Sequence, residues 1–251
     1  MPSTARRYEN RGDTVMRTKR AHAYPLPVGT HVRMQGRVKE CANLVEPGER
    51  LLDIGCSSGW LEPIVSAKGF RFYVGMDRII VGSAAARGNT KFVEGSVFNL
   101  PFSDRAFDAV CLFDVIEHIP RGSEEKALAE IARVLTSGGK LYFSTPHASP
   151  LHTPLDPVWT LGHRHYRRGT VHRLLRAAGF TVDRLFVAGG IAECLDHIRL
   201  LAYKHLLHRP HPQIDFMARL VERSHGHDSR LGMTVFAVAS RSPGSSAGEG
   251  I

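Results

Sequence analysis

The chain carries 251 residues with 43% hydrophobic content, enough for one α/β domain with additions and a normal globular core. Its net charge of +9, with 14 histidines besides, favours anionic partners, but the basic residues form no long run and no recognisable RNA- or DNA-binding module is present. Cys41, Cys56, Cys111 and Cys194 never pair at C-x-x-C spacing, which argues against a zinc or redox motif and for buried free thiols in a reducing cytoplasm.

Residues 1–28 are basic and polar, close on Tyr24-Pro25-Leu26-Pro27, and read as a flexible arm. Met1 to Arg20 lack the apolar core of a signal peptide, and no apolar run approaches the length of a membrane span. From Thr30 to Val45, the residues Val32, Val38, Cys41, Leu44 and Val45 share a stripe at helical spacing, and Pro47-Gly48 stops it. Leu51 to Ile54 reads as a buried strand. It runs into the Gly-rich turn Gly55-Cys56-Ser57-Ser58-Gly59 and then a helix over Leu61 to Lys68. Glycines there admit backbone conformations that a Cβ would forbid, and the helix start beyond them offers free N–H groups. The second strand, Phe70 to Gly75, delivers Met76-Asp77-Arg78. An acid at the end of that strand, about 20 residues beyond a Gly-rich turn, accepts hydrogen bonds from ribose hydroxyls.

A short helix around Ala84-Ala85-Ala86 precedes a third strand, Lys91 to Glu94, and the segment Gly95-Ser96-Val97-Phe98-Asn99-Leu100-Pro101-Phe102. Phe107 to Phe113 is a fourth strand, rich in apolar residues, and it runs into Asp114-Val115-Ile116-Glu117-His118-Ile119-Pro120. A helix over Glu124 to Leu135 ends at Ser137-Gly138-Gly139. The fifth strand, Lys140 to Ser144, leads to Thr145-Pro146-His147. Arg168 to Ala178 is helical, Phe180 opens a sixth strand, and Met233 to Ala239 is the last. The Gly/Ser/Pro-rich residues 242–251 read as a disordered tail.

Asp53-Ile54-Gly55-Cys56-Ser57-Ser58-Gly59 resembles the first motif of class I methyltransferases, which use S-adenosyl-L-methionine: an acid, an apolar residue, then Gly-x-Gly-x-Gly. Ser57 stands where that family has its middle glycine. Gly95 to Phe102 is similar to its Gly-Asp-x-x-x-Leu-Pro-Phe, with Ser96 in place of the acid. Phe107-Asp108-Ala109-Val110, followed by Glu117-His118, is similar to its Phe-Asp-x-Val and apolar-Glu-His. The resemblance runs closely over Val45 to Ser144 and more loosely over Tyr166 to Val187, and its flavour is that of the quinone-biosynthesis and natural-product enzymes.

The resemblance implies a doubly wound, Rossmann-like α/β domain over residues 29–241. Its seven-stranded sheet is mostly parallel, with an antiparallel last strand and helices on both faces. It implies S-adenosyl-L-methionine as cofactor, with Asp53, Gly55 and Gly59 at the methionine portion, Asp77 at the ribose, and Ser96 and Val97 at the adenine. Cys56, Ser57, Arg78 and Phe113 complete the expected cofactor set, and residues 1–28 become either a lid or a solvated tail. It also implies that insertions at about 147–165 and 190–224 cover the methyl-acceptor pocket.

Methyl transfer is an in-line displacement, so the enzyme positions the acceptor and removes a proton when a hydroxyl attacks. Histidine titrates near neutrality and suits that step, which makes His118, His147 and His163 the catalytic candidates, with His165 close by. The run His163-Arg164-His165 is alternatively a candidate for binding an acidic group on the substrate. The His-x-His spacing has no convincing third ligand, which argues against a metal. Residues 190–224 carry an apolar stripe and a basic face: either a lid packed on the domain or a contact with an anionic membrane surface. The expected function is methylation of a small-molecule acceptor at a hydroxyl oxygen. An RNA methyltransferase is the alternative enzyme, without an Asn-Pro-Pro-Tyr-type motif or paired catalytic cysteines to support it. A non-catalytic binding or regulatory protein is the other alternative, given weight by Ser57 and Ser96.

Overall fold

The computed structural model describes residues 34–80, 88–150, 153, 163–208, 212 and 214–242. The expected arm, the Ala84-Ala85-Ala86 helix, most of the 147–165 insertion and most of the tail lie outside the described residues. Seven strands form one sheet in the order β3-β2-β1-β4-β5-β7-β6. These are β1 (Arg50–Ile54), β2 (Phe72–Asp77), β3 (Thr90–Glu94), β4 (Phe107–Phe113), β5 (Leu135–Pro146), β6 (Phe180–Ala188) and β7 (Thr234–Arg241). Pairing is parallel from β3 through β5, and β7 inserts antiparallel between β5 and β6. The expected doubly wound sheet with its reversed last strand is what forms.

Alternation along the strands explains the layers, because successive side chains point to opposite faces. Leu52 and Ile54 enter one core with Val110, Leu112 and the helices α3 (Glu124–Val134) and α4 (Arg168–Ala177). Leu51 enters the other with Tyr73, Cys111, Phe236 and the helices α1 (Gly36–Leu44) and α2 (Glu62–Ala67). Both cores reach zero exposure at Leu51, Leu52 and Val110, so the middle strands read as near-continuous apolar runs. All four cysteines are buried. Among the described residues no helix is long and apolar enough to cross a membrane.

Three boundaries differ from the sequence expectation. The strand containing Lys140 to Ser144 starts at Leu135, which pairs with Phe107. The register slips before Ala109 meets Lys140, and Gly138, at φ +73°, lets Thr136 to Gly139 bulge without ending the strand. β6 runs to Ala188 because β7 pairs with it along its whole length. Beyond Gly190 the chain forms α5 (Ile191–Leu201), one π-helical turn at Ala202–Leu206, and α6 (Asp215–Arg223).

Candidate active site

The strand order reverses between β1 and β4, and in such sheets ligands bind in the crevice beyond the carboxyl ends of the strands there. On the β1–β2 side, backbone geometry builds the wall. Gly55, Ser57 and Gly59 all have left-handed φ, at +76°, +49° and +70°. A Cβ on Gly55 would lie 2.3 Å from Val115 Cγ2, so only glycine fits. The N–H groups of Gly55 and Cys56 both donate to the Met76 carbonyl, at 2.7 and 3.2 Å, which pins the turn to β2. Asp77 then accepts the Ser57 N–H at 3.0 Å on Oδ2 and the Arg78 N–H at 2.7 Å on Oδ1. Gly55, Ser57 and Asp77 thus form one constellation. The Ser58 hydroxyl, buried in the same turn, has no hydrogen-bond partner among the described residues. Such an orphan in a ligand crevice fits a polar group supplied from outside the chain.

The remaining residues of the expected cofactor set are more dispersed. Asp53 is buried and accepts the Tyr73 hydroxyl at 2.6 Å. Burial pushes its carboxyl up to about 7; the Tyr73 bond opposes this and Asp77 adds to it. Cys56 is fully buried, and burial raises its thiol. Ser96 Oγ accepts the Phe98 N–H at 3.3 Å across a tight turn, and Val97 packs into the α3 side of the core. Phe113 packs into the opposite face, and Arg78 is exposed.

At the ends of β4 and β5, charged side chains build the wall instead. Asp114, itself at φ +55°, accepts the Ser144 hydroxyl at 2.9 Å and pairs with Arg37 of α1 at 3.1 Å. Glu117 is 5% exposed and accepts the Thr145 hydroxyl at 3.1 Å. Burial first, and the Asp114 carboxylate next, push the Glu117 carboxyl up to about 8 against the Thr145 bond and Arg37. This carboxyl therefore changes charge in the range where a hydroxyl proton would be handled. The rings of His118 and His163 meet edge to face at 4.6 Å. The outer edge of His118 reaches solvent. Packing around the ring lowers its pKa, with Asp114 opposing and Arg164 assisting. His147 is buried, and its Nδ1–H donates to the Gly232 carbonyl at 2.8 Å, tying the end of β5 to the approach of β7. His118 and His163 come together; His147 stands on the β7 side.

Arg164 is not available to a substrate, contrary to expectation. Its guanidinium donates to the carbonyls of Ile116 at 2.6 Å, Ile119 at 2.5 Å and Glu117 at 3.3 Å, and pairs with Glu124. Tyr166 closes the same knot on Glu124 and Ile116. Arg164 is therefore the clamp that holds the Glu117-His118 loop. Sequence reading passed over this role, and over Glu117 as an acid, although the Glu-His pair was visible. It also missed Arg37 and the Glu193–His225 pair, at 3.0 Å beneath Gly36. Burial alone would raise Glu193, but the His225 bond and Arg37 hold it below the usual carboxylate range. These partners lie far apart in the chain and have no local signature.

A family of methyltransferase domains matches residues 29–185. The chain belongs to the class I S-adenosylmethionine-dependent methyltransferase family. Among curated relatives, a Mycolicibacterium smegmatis protein whose name assigns it to the S-adenosylmethionine-dependent methyltransferases is 32% identical over 156 residues, 58% of each chain. The ubiquinone/menaquinone biosynthesis C-methyltransferase of Vibrio cholerae is 31% identical over 121 residues, 42% of this chain and 45% of that one. The chain thus spans about half the length of the curated relatives it matches. A Mesorhizobium loti S-adenosylmethionine-dependent methyltransferase shares the fold at a TM-score of 0.58 and 15% identity, over 82% of this chain and 97% of that one.

Proposed function

We propose that this domain transfers a methyl group from S-adenosylmethionine to a small-molecule acceptor bearing an ionisable hydroxyl. The observation that carries the reading is the buried Glu117 carboxyl, with its pKa near 8, at the β4 end of the crevice and held by Thr145. When bound, S-adenosylmethionine supplies an already activated methyl carbon, so the residues of this chain have to bind, orient and take a proton.

The left-handed turn at Gly55, Ser57 and Gly59 would cradle the methionine portion, with the Ser58 hydroxyl as a donor. Asp77 would receive the ribose hydroxyls, and Ser96 with Val97 would border the adenine. On the acceptor side, Glu117 would take the hydroxyl proton in the transition state, since a base whose pKa lies near the working pH transfers protons most effectively. His118 and His163 would orient the hydroxyl, His118 being held neutral by its surroundings. His147 would shape the β7 side of the pocket.

Oxygen is the first choice of methylated atom, because deprotonation makes a hydroxyl the nucleophile directly. The name of the V. cholerae relative favours a second reading, methylation at a ring carbon activated by the same deprotonated hydroxyl. Both use the same base. Calorimetry with S-adenosylmethionine and S-adenosylhomocysteine tests the cofactor half. Asp77→Ala is expected to weaken binding roughly a hundredfold, the loss of two charge-assisted hydrogen bonds. Unchanged affinity removes the ribose assignment. Mass spectrometry of products from a phenol and quinol panel then separates O- from C-methylation.

A further inference from the structure

Nine of the twelve large apolar side chains exposed among the described residues lie between Ile191 and Leu231. Scattered exposed apolar residues are ordinary, but a concentration on adjoining helices marks a contact surface. On α5 the division is sharp. Cys194 is 1% exposed and Glu193 turns inward to His225, whereas Ile191, Leu195 and Ile198 are 50%, 51% and 36% exposed. Those three recur at helical spacing on one face. The π-helical turn that follows carries the stripe on to Leu206 and Leu207, exposed by 76% and 48%. α6 packs beside α5 and adds Phe216, 63% exposed, with Arg219 and Arg223 exposed on the same stripe and Asp215 as the acid at the helix start.

We infer that the outer face of α5 and α6 docks onto an anionic bilayer surface, with Ile191, Leu195, Ile198 and Phe216 entering the headgroup boundary and Arg219 and Arg223 meeting lipid phosphates. Aromatic and aliphatic side chains edged by arginine are the pattern of helices lying in an interface, and each arginine near an anionic surface adds attraction. The net charge of +9 acts in the same direction. A second copy of the chain is the poorer occupant, since an anionic surface offers partners to the arginines at the edge of the stripe, whereas another copy carries the same net charge of +9. The inner side of α5 lies against Gly36, next to Arg37, which reaches Asp114 in the crevice. The docked face is thus the outside of the cover over the acceptor side. This inference does not depend on the acceptor or on the transfer reaction.

The test is co-sedimentation of the full chain with phosphatidylcholine vesicles, with and without phosphatidylglycerol, at low and high salt. Binding is expected at low salt only where phosphatidylglycerol is present, and it weakens as salt rises. Leu195→Glu and Phe216→Glu should each weaken it roughly tenfold by removing an inserted side chain. The pair Arg219→Glu and Arg223→Glu should weaken it about as much through charge. Leu195→Gln serves if the acidic variant fails to fold, and an unchanged unfolding temperature certifies each variant. Three outcomes overturn the inference: no low-salt binding by the native chain, binding that these substitutions leave unchanged, or a solution dimer that Leu195→Glu dissolves.

Discussion

The two walls of the crevice are made of different material. At the ends of β1 and β2 the wall is backbone: three left-handed residues, a carbonyl at Met76 receiving two N–H groups, and one carboxylate at Asp77 facing the turn. At the ends of β4 and β5 the wall is side chain. There Arg37 comes from α1 while Asp114, Glu117 and His118 come from the loop after β4, and Thr145 and Arg164 hold that loop. A backbone wall suits a ligand that never changes, because its donors are placed by the turn itself. A wall of buried ionisable groups can be retuned by exchanging one partner, and its proton affinities shift with every neighbour. The cofactor and acceptor roles proposed above divide along that line.

The sharpest way to break this contrast is Glu117→Gln. It should lower kcat roughly a thousandfold, the scale of a lost general base, while leaving S-adenosylmethionine affinity unchanged by calorimetry. In the native protein, kcat/KM should rise with pH through a limb near 8, and the variant should lose that limb. Stability carries the same signature. The folded carboxyl holds its proton up to about 8, whereas the unfolded one releases it in the ordinary glutamate range. The folded state therefore binds more protons between those limits. The stability from this group is complete below the ordinary range and declines as pH rises to about 8. Denaturant titrations across pH should show that decline, and Glu117→Gln should remove its share above about 7, leaving the part that belongs to Asp53. A kcat within a few-fold of native would remove Glu117 from the chemistry.

On the backbone wall the largest effect belongs to Gly55→Ala. Its Cβ would meet Val115 and its φ of +76° is strained for alanine, so a loss of about 3 kcal/mol in unfolding free energy is expected. Binding of S-adenosylhomocysteine should vanish with it, although no side-chain contact has been removed. Ser57→Gly is the smallest change and runs the other way. Relief of the left-handed strain at φ +49°, less the extra freedom glycine has when unfolded, leaves a gain of about 0.5 kcal/mol. A loss on thermal unfolding would mean that the serine hydroxyl contributes more than its backbone strain costs.

What the chain alone determined is what local spacing encodes. A strand, a Gly-rich turn, an acid at the next strand end and the alternation of Leu51 to Ile54 are set by residues close in sequence, because periodicity and positive-φ positions are local properties. The sheet and the place of Asp77 at the end of its second strand were legible through the resemblance to class I methyltransferases, with right-handed crossovers consistent with it. Tertiary structure alone decided the rest. His163 meets His118 and Arg37 meets Asp114 only because α1 and the chain before α4 fold over the β4 end. Arg164 looked like a ligand-binding cation and became a clamp, because three backbone carbonyls in the Ile116 to Ile119 loop converge on it. Glu117 looked like part of a motif and became an acid pushed up to about 8, because burial leads in setting its proton affinity; the Asp114 carboxylate that adds to it stands three residues earlier in the chain, but burial is not written in the residues beside it.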